Sequence, residues 1–82
     1  MTKKILIVED QPDIRKLIRM TLEFEDYEIH EAADGAFGLR MASAVGPDLV
    51  LLDVMMPGEL DGLQVCQRIK SDPKLKHLKV VL

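Results

Sequence analysis

Residues 5–10 read Ile-Leu-Ile-Val-Glu-Asp, which joins four consecutive branched apolar residues to a pair of carboxylates. Residues 49–52 read Leu-Val-Leu-Leu and are followed in the same way by Asp53. Apolar runs of this length, without alternation, are typical of strands that are buried on both faces of a parallel sheet. If both runs belong to one sheet, Glu9, Asp10 and Asp53 converge at the carboxyl edge, where such sheets bind ligands.

Three carboxylates in one place repel one another, and a hard divalent cation with oxygen ligands would neutralise them. We therefore expect a metal site at Glu9, Asp10 and Asp53. The alternative is that each acidic residue only caps the helix that follows it. Asp53 is followed by a Met-Met-Pro loop rather than directly by a helix, and this favours the metal site.

Length and composition restrict the class of protein. The chain has 82 residues, a net charge of -3 and one cysteine, Cys66. We expect one domain at most, without an internal disulfide or a multi-cysteine zinc site, and with Cys66 in the core.

The lysines near the carboxyl end are interleaved with Asp72 and lack aromatic neighbours, so no nucleic-acid surface is expected. No signal peptide or apolar stretch of about 20 residues is present, which predicts a soluble, cytoplasmic chain without membrane contact.

The pattern along the chain alternates between strands and helices. Strands are predicted at residues 4–8, 27–32, 49–53 and 78–82. Helices are predicted from Pro12 to near residues 25–26, at 35–45, and from a cap at Asp61 to the breaker Ser-Asp-Pro at 71–73. This alternation implies right-handed crossovers and an α/β fold with helices on both faces of a doubly wound parallel sheet.

Individual residues support these elements. Asp34 suits the N-cap of the second helix, and Gly46 with Pro47 suits its end. The period-two pattern of residues 27–32 predicts a strand near a sheet edge. Apolar residues recur at helical spacing, which predicts one buried face for each helix. They are Ile14, Leu17, Ile18, Thr21 and Leu22 in the first helix, the small residues Ala36, Gly38 and Ala42 in the second, and Leu63, Val65, Cys66 and Ile69 in the third.

Three motifs together resemble the receiver domain of bacterial two-component response regulators. They are Val8-Glu9-Asp10 after the first strand, Leu-Leu-Asp-Val-Met-Met-Pro-Gly at residues 51–58, and Asp61-Gly62. The resemblance extends from residue 3 to residue 82. It implies a flavodoxin-like fold with the strand order 2-1-3-4-5.

The resemblance also implies roles for the acidic residues. Asp53 would be the phosphoacceptor in a phosphorelay, and a histidine kinase would be the phosphodonor. Asp10 and Asp53 would bind Mg²⁺ directly, Glu9 would help through water, and the backbone carbonyl of Met55 would complete the protein ligands. The domain would be a signalling phosphoprotein rather than an enzyme, with weak autophosphatase activity at most.

Two features depart from the family pattern. The loop at residues 57–62 is one residue longer than the commonest family loop. The family also places a Thr or Ser at the end of strand four and a Lys at the end of strand five, and neither occurs in this chain. We therefore expect residues 1–82 to be an incomplete receiver domain of about four strands, in the order 2-1-3-4, and three helices. Asp53 should accept phosphoryl groups slowly without that Lys.

Two other functions compete with the phosphoacceptor. The first is a binding or self-associating fragment without phosphoryl chemistry, because the last strand would offer an unpaired edge and one sheet face would be bare. The second is a phosphohydrolase with an Asp nucleophile and Mg²⁺, as in haloacid dehalogenase-like enzymes. Those enzymes need a second Asp two residues after the first, where this chain has Met55, so their general acid is missing.

Overall fold

The computed structural model of the chain describes residues 2–56, 58 and 60–82, in which four strands and three helices alternate. In chain order the elements are β1 (Lys3–Val8), α1 (Pro12–Leu22), β2 (Tyr27–Ala32), α2 (Gly35–Val45), β3 (Leu49–Leu52), α3 (Gly62–Ser71) and β4 (Lys79–Val81). None of these helices has the length and apolar character needed to cross a membrane.

The four strands form one parallel sheet in the order β2-β1-β3-β4. Val8, the last residue of β1, lies opposite Ala32 of β2 on one side and opposite Leu52 of β3 on the other. The flavodoxin-like arrangement and the strand order expected from the sequence are therefore confirmed. Because neighbouring strands end at the same level, the residues that follow β1 and β3 meet at one edge of the sheet.

The core lies between the sheet and the helices α2 and α3. Alternate residues of the central strands face this side, since side chains alternate along a strand. The core consists of Leu6, Val8, Ala32, Ala42, Val50, Leu52, Met56, Val65, Ile69, Leu75 and Leu78. Ile5 and Ile7 are also buried, at 3% and 0% exposure. The unbroken apolar run of β1 is therefore buried on both faces, as predicted. The same prediction for β3 is wrong on one face, where Leu49 and Leu51 are only half-buried because α1 lies over β1 and β2.

The helix ends follow the predicted caps. The Asp34 carboxylate accepts a hydrogen bond from the N–H of Phe37 (2.8 Å) at the start of α2. Asp61 and Gln64 form a reciprocal capping box at the start of α3, with both bonds at 2.9 Å. Gly46 ends α2 in the left-handed conformation, with φ of 64°, which glycine adopts without strain.

The burial predicted for the first helix is wrong, because no residue of α1 is buried. Ile18 and Leu22 are half-buried, whereas Ile14 and Leu17 are 41% and 61% exposed. The helix lies over β1 and β2, and no other helix of the described residues packs beside it on this face of the sheet. The apolar residues of α1 therefore have few neighbours that could bury them. The helix also ends at Leu22, before residues 25–26, because the N–H of Glu25 bonds to the Leu22 carbonyl in a tight turn (3.1 Å).

Smaller differences have local causes. Ala36 and Leu63 are exposed rather than packed, because the buried stripes of α2 and α3 are formed by Gly38, Ala42, Val65 and Ile69, with Cys66 half-buried. The last strand is three residues long because the N–H of Leu78 still bonds to Leu75 in the preceding turn (3.0 Å). The loop prediction at residues 57–62 falls partly on Pro57 and Glu59, which lie outside the described residues.

Candidate metal and phosphoacceptor site

The three carboxylates predicted to share a cation lie together at the carboxyl edge of the sheet. One oxygen from each of Glu9, Asp10 and Asp53 lies within 4.8 Å of the other two. The backbone explains this convergence. The N–H of Glu9 donates to the Ala32 carbonyl and the N–H of Asp53 donates to the Val8 carbonyl, both at 3.0 Å. The residue after each strand therefore continues the sheet and carries its carboxylate to the same place.

Glu9 is the most buried member of this group, with 6% of its surface exposed. Burial, followed by a side-chain hydrogen bond with Asp53 and repulsion from Asp53 and Asp10, raises the pKa of Glu9 from 4.5 to about 7. A backbone hydrogen bond from Gln11 opposes this rise. Near neutral pH, Glu9 can therefore either keep its proton or interact with a cation, since either one relieves the repulsion between the carboxylates.

Asp10 has an oxygen that nothing in the described part of the chain satisfies. Its Oδ1 atom is buried and has no hydrogen-bond partner there. Leaving a buried acceptor unpaired costs free energy, and a cation bound at this oxygen would offset that cost. The neighbouring carboxylates supply the oxygen ligands that Mg²⁺ takes in proteins, so the donor set fits a hard divalent cation.

Asp53 lies in a loop that is held closely against α3. Its Oδ1 atom accepts a hydrogen bond from the N–H of Met55 (3.2 Å), and the N–H of Gly62 donates to the Val54 carbonyl (3.1 Å). A Cβ atom at Gly62 would overlap the Asp53 carbonyl oxygen, so glycine is required for this approach. The backbone of the loop therefore fixes the Asp53 carboxylate. The Met55 side chain is 81% exposed, and its carbonyl stays a predicted ligand.

Arg15 contacts the site, although no motif points to it. Its NH1 atom donates to the backbone carbonyl of Glu9 (2.9 Å), and its Nε atom donates to Oε1 of Glu31 (3.1 Å). The NH1 atom of Arg19 donates to the other Glu31 oxygen (2.7 Å). The only signal in the sequence is a pair of arginines four residues apart on one helix, with an acidic residue in the next strand.

The parallel sheet with helices on both faces and the acidic carboxyl edge together define an α/β protein of the flavodoxin-like class. The sequence profile described as the response regulator receiver domain matches residues 5–82. The chain belongs to this family of signalling domains, as the motifs had indicated, and this membership associates it with two-component signalling.

Named relatives and a solved structure agree with this assignment. The chain is 45% identical over 82 residues to the response regulator PleD of Caulobacter vibrioides. This match covers 100% of the chain and 18% of PleD. The chain is also 48% identical over 68 residues to the transcriptional regulatory protein ResD of Bacillus subtilis. This match covers 83% of the chain and 28% of ResD. The response regulator TrrA of Thermotoga maritima, solved in complex with Mg²⁺-BeF, superposes with a TM-score of 0.90 at 41% identity.

These relatives are longer than the chain. The superposition with TrrA covers 99% of this chain and 68% of the TrrA chain. The chain therefore spans 18% and 28% of the two named relatives and 68% of the solved TrrA chain.

Proposed function

We propose that Asp53 is a phosphoacceptor that receives its phosphoryl group from a histidine kinase in the presence of Mg²⁺. The observation that carries this proposal is the cluster of Glu9, Asp10 and Asp53, in which Asp10 Oδ1 is buried without a partner among the described residues. Family membership and the Mg²⁺-BeF complex of TrrA support it.

The proposed transfer balances without any further reactant. A carboxylate oxygen of Asp53 attacks phosphorus, the P–N bond to the kinase histidine breaks, and the imidazole nitrogen keeps the electron pair. The product is an acyl phosphate on Asp53. Oδ1 of Asp53 accepts the Met55 N–H, so we assign the attack to Oδ2. The step is written for a carboxylate nucleophile, so it needs no general base.

The chain would bind the cation through the carboxylates of Asp10 and Asp53 and the carbonyl of Met55, with Glu9 acting through water. When bound, Mg²⁺ supplies positive charge that offsets the charge of the phosphoryl oxygens. Glu9 and Asp10 set the charge of the pocket, and the loop between Asp53 and Gly62 holds the nucleophile in place. The acyl phosphate adds about -1.5 to -2 charge at the edge of the sheet, which is a signal of the kind that biases nearby structure.

A small acyl-phosphate donor tests the phosphoacceptor directly. Incubation with this donor and Mg²⁺ should add one phosphoryl group to the intact mass, and hydroxylamine should remove it. The variant Asp53→Asn should show no addition. The matched control is Asp34→Asn, because Asp34 is an exposed helix cap and Asn also caps helices well. Equal phosphorylation of Asp53→Asn and the unmodified chain would refute the assignment.

Magnesium titration tests the cation site separately. Added Mg²⁺ should raise the melting temperature of the chain, because a ligand that binds only the folded state stabilises it. The shift should be lost in Asp10→Asn and kept in Asp34→Asn. If Asp10→Asn responds to Mg²⁺ in the same way as the unmodified chain, Asp10 is not a ligand.

We also propose that the 82-residue polypeptide associates with itself. The strand β4 forms an edge of the sheet, and Val81 and Leu82 are 52% and 55% exposed. They line an apolar groove with Ile14 and Ile18 of α1. An exposed apolar edge strand favours pairing with a second copy. Sedimentation should show a dimer that Val81→Lys weakens and Ala36→Lys, on the exposed side of α2, does not. A monomer at all concentrations would contradict this.

A further inference from the structure

The Asp10 carboxylate depends on its backbone for its direction. Oδ1 of Asp10 is buried and has no hydrogen-bond partner among the described residues, so no side chain aims this oxygen. The peptide group that joins Glu9 to Asp10 helps to place the Cα–Cβ bond of Asp10, from which the carboxylate extends. The carbonyl of this peptide group is the Glu9 carbonyl, and its only described side-chain donor is NH1 of Arg15, at 2.9 Å.

Arg15 is itself held firmly in place. Its Nε atom bonds to Oε1 of Glu31 at 3.1 Å, and Arg19 holds the second oxygen of Glu31 at 2.7 Å. The side chains of Arg15 and Glu31 are only 20% and 32% exposed, so this ion pair is better shielded from water than a surface pair. The planar guanidinium can serve the carboxylate and the carbonyl at the same time, because its donors form a rigid fork.

The end of β2 supports the Glu9 residue at two points. The Ala32 carbonyl accepts the N–H of Glu9 at 3.0 Å, and the preceding residue, Glu31, anchors the arginine that holds the Glu9 carbonyl. Both backbone groups of Glu9 are therefore tied to consecutive residues of the neighbouring strand. Since α1 has no buried residue, the hydrogen bond from Arg15 ties this helix to the Glu9 backbone in addition to its partly exposed apolar contacts.

We propose that Arg15 is a positioning residue for the acidic pocket: by holding the Glu9 carbonyl from its anchor on Glu31, it sets the direction of the Asp10 carboxylate. The part of this inference that concerns Mg²⁺ rests on the proposed function. Arg15 does not touch the cation or the phosphoryl group and acts through the backbone. Residues that orient metal ligands in this way typically change metal affinity by about 10- to 100-fold when they are replaced.

The test compares Arg15→Lys with Arg19→Lys in the 82-residue chain. Both variants keep the positive charge on α1, and both replaced side chains contact Glu31. A lysine has a single terminal nitrogen and cannot occupy the positions of Nε and NH1 at once, so Arg15→Lys cannot hold both Glu31 and the Glu9 carbonyl. Among the described residues, the Arg19 guanidinium pairs only with the carboxylates of Glu31 and Glu23, so Arg19→Lys leaves the Glu9 carbonyl with its donor. Three quantities are measured in each protein: the melting temperature, the Mg²⁺ affinity by calorimetry, and, without Mg²⁺, the carbonyl-carbon shift of Glu9 and the amide-nitrogen shift of Asp10 by NMR.

We expect Arg15→Lys to weaken Mg²⁺ binding about tenfold or more and to move the NMR shifts at Glu9 and Asp10. Arg19→Lys should leave the Mg²⁺ affinity and these shifts unchanged, even where it lowers the melting temperature. Unchanged Mg²⁺ affinity in Arg15→Lys would overturn the inference, because it would leave Arg15 with a structural role only. An equal loss of affinity in both variants would also overturn it, because general loosening of α1 would then be the cause.

Failure of the proposed function would give a different result. If the unmodified chain binds no Mg²⁺, the cation site is refuted, and the NMR shifts measured without Mg²⁺ decide the positioning role alone. Movement at Glu9 and Asp10 in Arg15→Lys, without movement in Arg19→Lys, would then support it. Identical shifts in the two variants would overturn it. If Arg15→Lys does not fold, Glu31→Ala serves instead, because it removes both acceptor oxygens of the anchor and keeps the guanidinium. It should give the same changes in a folded chain, and their absence would overturn the inference.

Discussion

Replacing Glu9 with Gln should stabilise the chain at alkaline pH when no divalent cation is present. The pKa of Glu9 is raised from 4.5 to about 7, chiefly by burial and then by Asp53. The folded state therefore holds this proton more tightly than the unfolded state. Between about pH 4.5 and 7, stability must fall as the pH rises, because the folded state binds more protons than the unfolded state. This contribution is fully present below pH 4.5 and lost above about pH 7.

The magnitude follows from the two pKa values. One pKa unit corresponds to about 1.4 kcal/mol, so a rise from 4.5 to about 7 amounts to roughly 3 kcal/mol at most. A Gln side chain stays neutral at every pH and can donate hydrogen bonds to the adjacent carboxylates. Glu9→Gln should therefore be more stable than the unmodified chain by up to roughly 3 kcal/mol at about pH 8, which is on the order of 10–20 °C in melting temperature for a small domain. The two proteins should have similar stability near pH 4.

Urea unfolding followed by circular dichroism, in a chelator and at several pH values, measures this difference. Glu25→Gln is the matched control, because Glu25 is an exposed carboxylate outside the pocket and its replacement should leave the pH profile unchanged. Saturating Mg²⁺ should reduce the advantage of Glu9→Gln, since the cation would neutralise the same charge. The reasoning is refuted if the free energy of unfolding of Glu9→Gln runs parallel to that of the unmodified chain from pH 4 to pH 8.

Three further changes test other parts of the site. Asp53→Asn should raise the melting temperature in a chelator at neutral pH, because it removes a charge that faces Glu9, and a lower melting temperature would contradict this. Gly62→Ala should cost about 1–3 kcal/mol in urea unfolding, because the new Cβ meets the Asp53 carbonyl; a neutral effect would show that the loop gives way. Asp61→Ala should cost about 1 kcal/mol, because it breaks the capping box of α3, and Asp61→Asn should recover most of this loss.

Most of the fold could be predicted because its signals are local. The strands β1 and β3, the caps at Asp34 and Asp61 and the stop at Gly46 each follow from neighbouring residues, and the structure confirms all of them. The burial of β3 on both faces was predicted and is not observed, because it depends on a neighbouring helix. The exposure of α1 could not be predicted in the same way. The apolar spacing of Ile14 and Leu17 shows only that one face of a helix is apolar, and whether that face is buried depends on what packs beside it.

The candidate site could also be predicted only in part, since some of its features follow from the strands and others from tertiary packing. The convergence of the three carboxylates could be predicted, because β1 and β3 are adjacent parallel strands, Glu9 and Asp53 directly follow them, and Asp10 follows Glu9. The contact of Arg15 with the Glu9 carbonyl could not, because it depends on the placement of α1 against β2, which no spacing in the sequence reports. The requirement for glycine at position 62 likewise arises from a tertiary approach to the Asp53 carbonyl.

Contacts from both faces of the sheet hold the backbone of the acidic pocket in place, although its three carboxylates repel one another. On one face, Gly62 at the start of α3 closes on the backbone of Asp53 and Val54. On the other face, Arg15 of α1 holds the backbone beside Asp10. Neither contact neutralises a carboxylate, and burial, followed by the effects of Asp53 and Asp10, raises the pKa of Glu9 in the folded chain. The backbone contacts fix the geometry while the charge stays uncompensated, which is the condition under which a cation would gain most by binding.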